Sequence, residues 1–349
     1  MIAAALLAAG TACAAPACDG TWDGTLGATP AMLQFNWDGL GSYYLGTTLR
    51  GPVLRPQDDD PQAWEEYDGE GRRTATLRLE CRGDTLSGER RSTGGQRAAL
   101  QAQRAADNSF NRRRLAAVEL VPQRTLSEQG RVVEVVAARG IPELVTLRIR
   151  QPRAGETVIN ERLRSALLQQ LDNHLQCQAL VRAQGRFSPA GGDTLTLQRL
   201  DWRGSVLSVQ LWLRGNCGRA EGYSGPQQFT FHTATGEELP LARWLLPEYR
   251  DGAATGSPLH GALVLPQVLR GRRQLEALPE SRRECADFEL AERAVPLAVE
   301  DRGMVLGFHY SLRMAHCGIA FVAPWSALDP FLSDDGRRWR QAMQAAPQR

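Results

Sequence analysis

The chain has no lysine: all 41 of its basic residues are arginine. Arginine suits bidentate capture of carboxylate or phosphate, and the same bias also follows from a genome that favours arginine and alanine codons. No apolar run approaches the roughly 20 residues a membrane-spanning helix needs. A Gly-x-Ser-x-Gly elbow, an HExxH motif and a phosphate-binding loop are all absent, which removes the hydrolase and nucleotide classes those motifs mark. Charge of one sign is scarce too. The net +2 gives no field that argues for nucleic acid or a membrane surface. Residues 19–104 are slightly acidic, with 13 carboxylates against 10 arginines. With 349 residues and ordinary globular composition, two or three domains are expected.

What is present begins with an export signal. Ile2 to Ala9 is apolar and is followed by small residues. Ala12-Cys13-Ala14 and Ala15-Pro16-Ala17 each fit an A-x-A cleavage site, so residues 1–14 are expected to be a signal peptide. No basic residue precedes the apolar run, a departure that a start further upstream would remedy. Gly10-Thr11-Ala12-Cys13 resembles a lipobox with Gly where Leu is expected, so anchoring through a lipid on Cys13 is an alternative. Either route leaves Cys18, Cys81, Cys177, Cys217, Cys285 and Cys317. Six cysteines in an exported chain point to three disulfides. Placement within modules favours Cys18–Cys81, Cys177–Cys217 and Cys285–Cys317. His174-x-x-Cys177 and His316-Cys317 are the residues a metal site would use, but ligands scattered this way lack the tight paired spacing of zinc motifs. No metal and no cofactor is expected.

Residues 15–104 read as a β-rich module. Short apolar and aromatic runs recur between glycine turns, and Thr76, Arg78 and Glu80 alternate with Leu77, Leu79 and Cys81 as in a half-buried strand. A small antiparallel sheet or partial barrel follows. Gly20-x-Trp22 resembles the start of a lipocalin strand, although the module is shorter than a lipocalin. Tyr43, Trp64, Tyr67 and Trp37 serve either a carbohydrate platform or core packing. Asp58-Asp59-Asp60 lacks the spaced ligands of a calcium loop and reads as a solvated loop. Residues 105–125 read as a connector whose Arg112-Arg113-Arg114 run is solvated or meets an anionic partner.

From 126 to 333 the pattern is α+β, with two long helices packed on antiparallel strands. Val132–Val136 and Leu144–Ile149 are β-rich. Thr157–Ala183 is expected to be a helix, because Ile159, Leu163, Leu167, Leu171 and Leu175 form one apolar stripe. Strands are expected at Thr194–Leu200, Val206–Leu213 and Gln228–His232, then a short helix near Leu241–Leu246. A second long helix is expected over Leu263–Leu278, strands near Met304–Leu312 and Gly318–Ala323, and a helix from Trp325 to Leu332. Residues 334–349 form a polar, arginine-rich tail expected to fray. Ser257 and His260 put a hydroxyl near an imidazole, but sequence neighbours rarely make a triad. His232 and His309 sit on strands as structural residues.

Residues of about 140–333 resemble the extracellular domain of RsiV-type anti-sigma factors. The resemblance rests on the order of Ile159-Asn160 at the start of a long helix, Ser208-Val209-Gln210-Leu211, the loop Gly222 to Pro226, and Phe229-Thr230-Phe231. Thr235-Gly236-Glu237-Glu238-Leu239 then leads to Trp244-Leu245. Phe288-Glu289-Leu290, Gly303 to Phe308 and the strand and helix from Gly318 complete it. That domain also accompanies some peptidoglycan deacetylases, and in RsiV it senses lysozyme. The resemblance implies a non-catalytic, periplasmic or secreted binding or sensing protein. Its partner would be a lysozyme-like envelope protein or peptidoglycan. This chain carries neither the cytoplasmic anti-sigma segment nor a deacetylase domain, and no contact residue carries over. The alternatives are an envelope hydrolase or transferase acting on wall glycan or peptide, and a small-ligand carrier.

Overall fold

The structure is a computed structural model. It describes residues 18–36, 40–46, 51–57, 60–106, 109–183, 192–217, 223–254, 256–266, 294–308 and 320–344. The expected leader, Cys13, Trp37, Asp58, Asp59, Cys285, His309, His316 and Cys317 lie outside these residues, as does most of the expected second long helix. Contacts divide the chain into two units, Met1–Val118 with Leu175–Pro189, and Glu119–His174 with Ala190–Arg349.

In the first unit eight strands close into an antiparallel up-and-down barrel: β1 Gly20–Leu26, β2 Thr29–Phe35, β3 Gly41–Leu45, β4 Val53–Gln57, β5 Asp60–Tyr67, β6 Arg73–Arg82, β7 Thr85–Ser92 and β8 Arg97–Ala105. Closure is complete: β1 pairs with β8 from Thr21↔Ala105 to Leu26↔Leu100, where the sequence suggested at most a partial barrel. Alternation explains the filling. Trp22, Leu33, Leu54, Leu77, Leu79, Leu86 and Leu100 are almost wholly buried, while Arg78, Glu89, Arg91, Gln101 and Gln103 are exposed. Apolar inside and polar outside is the reverse of a membrane barrel. Cys18–Cys81 forms a disulfide across 63 residues. Beside it Trp22 Nε1 donates to the Cys18 carbonyl at 2.9 Å, and the Arg104 guanidinium lies 4.4 Å over the Trp22 ring. Asp60, expected in a solvated loop, opens β5 and accepts from the Gln62 N–H at 3.0 Å.

The arginine run is a correction. Residues Ser109–Ala116 are a helix, α1, rather than a solvated connector. Phe110 is buried with Met32 and Tyr44. Arg114 is itself buried, 4.8 Å over the Phe110 ring, and Arg113 is ion-paired with Asp23. The aromatic face under the Arg114 guanidinium, its Nη2 bond to Asn111 at 2.9 Å and the Asp23 ion pair of Arg113 together let so charged a segment pack.

In the second unit a six-stranded sheet has the order β14-β13-β12-β11-β10-β9. Its strands are β9 Leu120–Glu128, β10 Arg131–Ala138, β11 Ile141–Ile149, β12 Thr194–Arg203, β13 Val206–Gly215 and β14 Tyr223–His232. β11 and β12 are parallel, so the chain must cross over between them; helix α2, Ala154–Ala183, makes the crossing. The predicted stripe Ile159, Leu163, Leu167, Leu171, Leu175 is buried throughout. Asn160 accepts from the Ile149 N–H at 2.8 Å and donates to the Ile149 carbonyl at 3.0 Å. Its carboxamide thus stands in for a paired strand at the end of β11.

A second sheet of three strands, β15 Ala294–Val299, β16 Gly303–Phe308 and β17 Ala320–Pro324, leads into α3, Trp325–Leu328. Leu241–Trp244 is a 3-10 turn, and residues 258–266 are helical with a π turn at His260–Val264. The polar tail is the second correction. Asp334–Gln344 is a helix, α4, whose Gly336 and Met343 are buried and whose Trp339 packs on the Trp244 cluster. Ser333 makes the N-terminus: its hydroxyl oxygen accepts from the Gly336 N–H at 3.1 Å.

Candidate functional site

The candidate site is a cleft of about 320 Å3 in the second unit. Its floor is the outer part of one sheet face, Gln228 and Thr230 of β14. One wall is Glu238 to Ala242, a second is Arg250 and Asp251, and a third is Val295 and Pro296 of β15. The turn after β14 builds the first wall. Gly236 has φ +75°, and a Cβ there would lie 2.5 Å from the Val158 Cβ, so only glycine fits. The chain then doubles back, with the Leu239 N–H donating to the Thr230 carbonyl at 2.6 Å. Pro240 then starts the 3-10 turn. β15 is held in place by the Ala253 N–H, which donates to the Ala294 carbonyl at 2.7 Å.

The polarity of the floor extends beneath the cleft. Register places Asp201, Ser208 and Thr230 side by side across β12, β13 and β14, and Arg199, Gln210 and Gln228 in the next row. Ser208 and Thr230 are each only 2% exposed, yet the Ser208 Oγ, Thr230 Oγ1 and Gln228 Nε2 have no hydrogen-bond partner. A buried polar group left unpaired costs about 1–3 kcal/mol, so three together under a cleft are a sizeable concession of stability. The row ends in charge. Asp201 accepts from Arg203 Nε at 2.9 Å, and Arg199 is ion-paired with Glu300. Burial holds the Asp201 carboxyl above its ordinary value, Arg203 opposes this, and Asp301 adds to it. The sequence reading missed these residues. Ser208 and Gln210 alternate with Val206, Leu207, Val209 and Leu211 in the way a solvent-facing row does.

Two further polar clusters are fully partnered. In the barrel Glu66, 3% exposed, accepts from Arg90 Nε and Nη2 at 2.7 Å each, from Thr74 at 2.6 Å and from Tyr43 at 2.8 Å. Burial opposes the Glu66 charge, but these bonds outweigh it and leave the carboxyl below its ordinary value. Burial, then Glu66, pushes the Tyr43 hydroxyl up. In the second unit buried Asp193 accepts from Gln170 and from Tyr223, and its own N–H donates to His174 Nδ1 at 2.9 Å. His174 Nε2 lies 3.7 Å from Glu143. These contacts fasten α2 to the starts of β12 and β14.

No family model matches the chain, and no curated protein does. Among solved structures, a DUF3298 family protein from Pseudomonas aeruginosa PAO1 matches with 14% identity, covering 62% of this chain and 94% of that one, at a TM-score of 0.34. DUF3298 is a family of RsiV-like extracellular domains. A likeness this distant does not place the chain in that family.

The residues singled out from sequence fall mainly into packing. Tyr43 and Trp64 are buried in the barrel core, and Tyr67 donates to Glu65. The Ser257 hydroxyl oxygen accepts from the His260 N–H at 3.2 Å, as a helix cap. His260 is buried, which lowers its pKa. His232 Nδ1 lies 3.0 Å from the Thr235 hydroxyl. Cys177 and Cys217 are disulfide-bonded to each other, so neither offers a thiolate to a metal. No helix among the described residues is long and apolar enough to cross a membrane.

Proposed function

We propose that this chain is a non-catalytic binding or sensing protein of the bacterial envelope, periplasmic or secreted, which recognises a lysozyme-like protein or peptidoglycan. The observation that carries the reading is the cleft lined by Gln228 and Thr230, whose walls set the apolar Leu239 to Ala242, Val295 and Pro296 beside the charged Glu238, Arg250 and Asp251. A concave surface that combines apolar walls with a few polar and charged groups is what a recognition site presents. The disulfides at Cys18–Cys81 and Cys177–Cys217 support maturation outside a reducing cytosol.

Calorimetry of the oxidised chain from Ala15 onward, against lysozyme and against soluble peptidoglycan fragments, tests this. The expected result is saturable binding to one of them that Ala242→Phe abolishes by filling the cleft. Absence of binding to both, or binding indifferent to Ala242→Phe, overturns it.

A further inference from the structure

We propose that the cleft and the sheet edge beside it take the free amino end of an extended polypeptide, which adds to β14 as an antiparallel strand; this rests on the cleft being the recognition site. β14 is the last strand of its sheet, so one of its edges has no further strand of the sheet beside it. A short segment covers part of that edge. The His232 N–H donates to the Glu237 carbonyl at 2.8 Å, and the Leu239 N–H donates to the Thr230 carbonyl at 2.6 Å, with Glu238 opposite Phe231. The backbone groups of Thr230 and His232 therefore point outward, and by the period of two so do those of Gln228, Pro226 and Ser224. Pro226 agrees: it stands opposite Trp212 inside the ladder, and a proline is tolerated there with its nitrogen on the free edge. At Pro240 the covering segment turns away into the 3-10 turn. Beyond it the Gln228 N–H and carbonyl, the Pro226 carbonyl and the Ser224 N–H and carbonyl have no backbone partner among the described residues. All three residues are partly exposed. Such an edge is a template for another strand.

Direction and charge select the occupant. A strand that continues the run of Glu237 to Leu239 is antiparallel to β14 and begins where Pro240 leaves, so its first residue lies opposite Gln228. Its amino group then donates to the Gln228 backbone carbonyl. Glu238 lines the same cleft, is exposed and has no ion-pair partner among the described residues, so an ammonium there meets a carboxylate. Asp251 is already engaged, but with Glu238 it leaves the lining net negative against the one guanidinium, Arg250. Leu241, Val295 and Pro296 give the first side chains an apolar wall. The cleft volume of about 320 Å3 sits near the lower bound of ligand pockets, about 300 Å3, so the rest of the strand runs along the edge towards Ser224. A second copy of this chain fits less well. Two β14 edges paired about Pro226 set proline nitrogens, which carry no hydrogen, at the centre of the ladder. A wall stem peptide, joined to its glycan through its amino end, lacks the ammonium.

The test titrates the full oxidised chain with the peptide Ala-Val-Thr-Val-Thr, amidated at its carboxyl end, and follows amide shifts by NMR. In this register the N–H groups of the first, third and fifth peptide residues face β14, and those of the second and fourth face away. Binding of the free-amine peptide is expected, with shifts at Ser224 and Gln228. N-acetylation, or N-methylation of the third residue, is expected to weaken it by about tenfold or more. N-methylation of the fourth residue is expected to change it by less than about threefold, because that N–H makes no bond to the edge. Glu238→Gln, at an exposed position that leaves the fold intact by circular dichroism, is expected to bring the free-amine peptide to the level of the acetylated one and to leave the latter unchanged. Equal binding of free and acetylated peptides, equal effects of the two methylations, or an acetylation effect that persists in Glu238→Gln overturns the proposal. If the peptide does not bind while Ala242→Phe still abolishes binding to lysozyme or peptidoglycan, this inference fails and the recognition reading stands.

Discussion

The barrel and the cleft both bury polar groups, and they do so in opposite ways. Glu66 receives four hydrogen bonds from three side chains in the barrel interior. The Ser208 and Thr230 hydroxyls and the Gln228 side-chain amide nitrogen make none. A charge inside a core must be fully paired or it unfolds the core. A neutral polar group beneath a cleft can stay unpaired at a cost of about 1–3 kcal/mol without unfolding the core. The barrel thus pairs the buried charge of Glu66 completely, although it leaves the Trp64 indole N–H without a partner, whereas the second unit leaves a row of neutral groups unpaired.

The contrast can be tested from its stiffest element downwards. Replacing Cys18 and Cys81 by Ala frees a loop spanning 63 residues and is expected to destabilise the barrel by about 4 kcal/mol. Urea unfolding followed by hydrogen exchange of β6 and β7 amides reads this, and little change is expected in β13 and β14. Arg90→Ala strips the bidentate partner from Glu66 and should cost about 3 kcal/mol, the low end for a broken buried pair, because Arg90 is itself 22% exposed. A cost below about 1 kcal/mol would mean that Thr74 and Tyr43 suffice.

Acid titration separates the two units next. Glu66 has its pKa lowered from 4.5 on folding. Its contribution is complete above that value and is lost as pH falls through the folded value. Asp201 is raised from 3.8, so its contribution is present below 3.8 and is lost as pH rises through its folded value. Acid should therefore weaken β6 and β7 protection before that of β13. The order would reverse if Asp201 governed the molecule. Least of all, Thr230→Val removes an unpaired hydroxyl at nearly constant shape and should stabilise the second unit by about 1 kcal/mol, the low end of the cost of an unpaired group. A loss of stability would show that the hydroxyl has a partner.

The period-two pattern of Thr76 to Cys81 and the stripe from Ile159 to Leu175 were legible in the sequence because each reports a local geometry. Barrel closure was not, because the pairing of Thr21 with Ala105 joins strands at opposite ends of the module and leaves no local trace. Helix α4 was hidden by its own polarity: of its residues, Gly336 and Met343 are buried and Trp339 partly so. The site was invisible for a sharper reason. Alternation tells which residues leave the core face, but it cannot tell whether the other face meets water or a second layer. Ser208 and Gln210 stand at alternate positions of β13 and are 2% and 8% exposed.

Helix α4 has a practical consequence for anyone handling this chain. A Cβ at Gly336 would come within 2.1 Å of the Trp244 carbonyl oxygen, and the Ser333 N–H and hydroxyl donate to the carbonyls of Trp244 and Arg243 at 2.8 and 2.6 Å. The 3-10 turn that carries Leu241 and Ala242 into the cleft wall is thus braced from behind by the last helix. Truncation near residue 333, or a bulky affinity tag that unseats this helix, alters the cleft without touching any residue that lines it. Purification handles and reporter fusions belong ahead of Cys18.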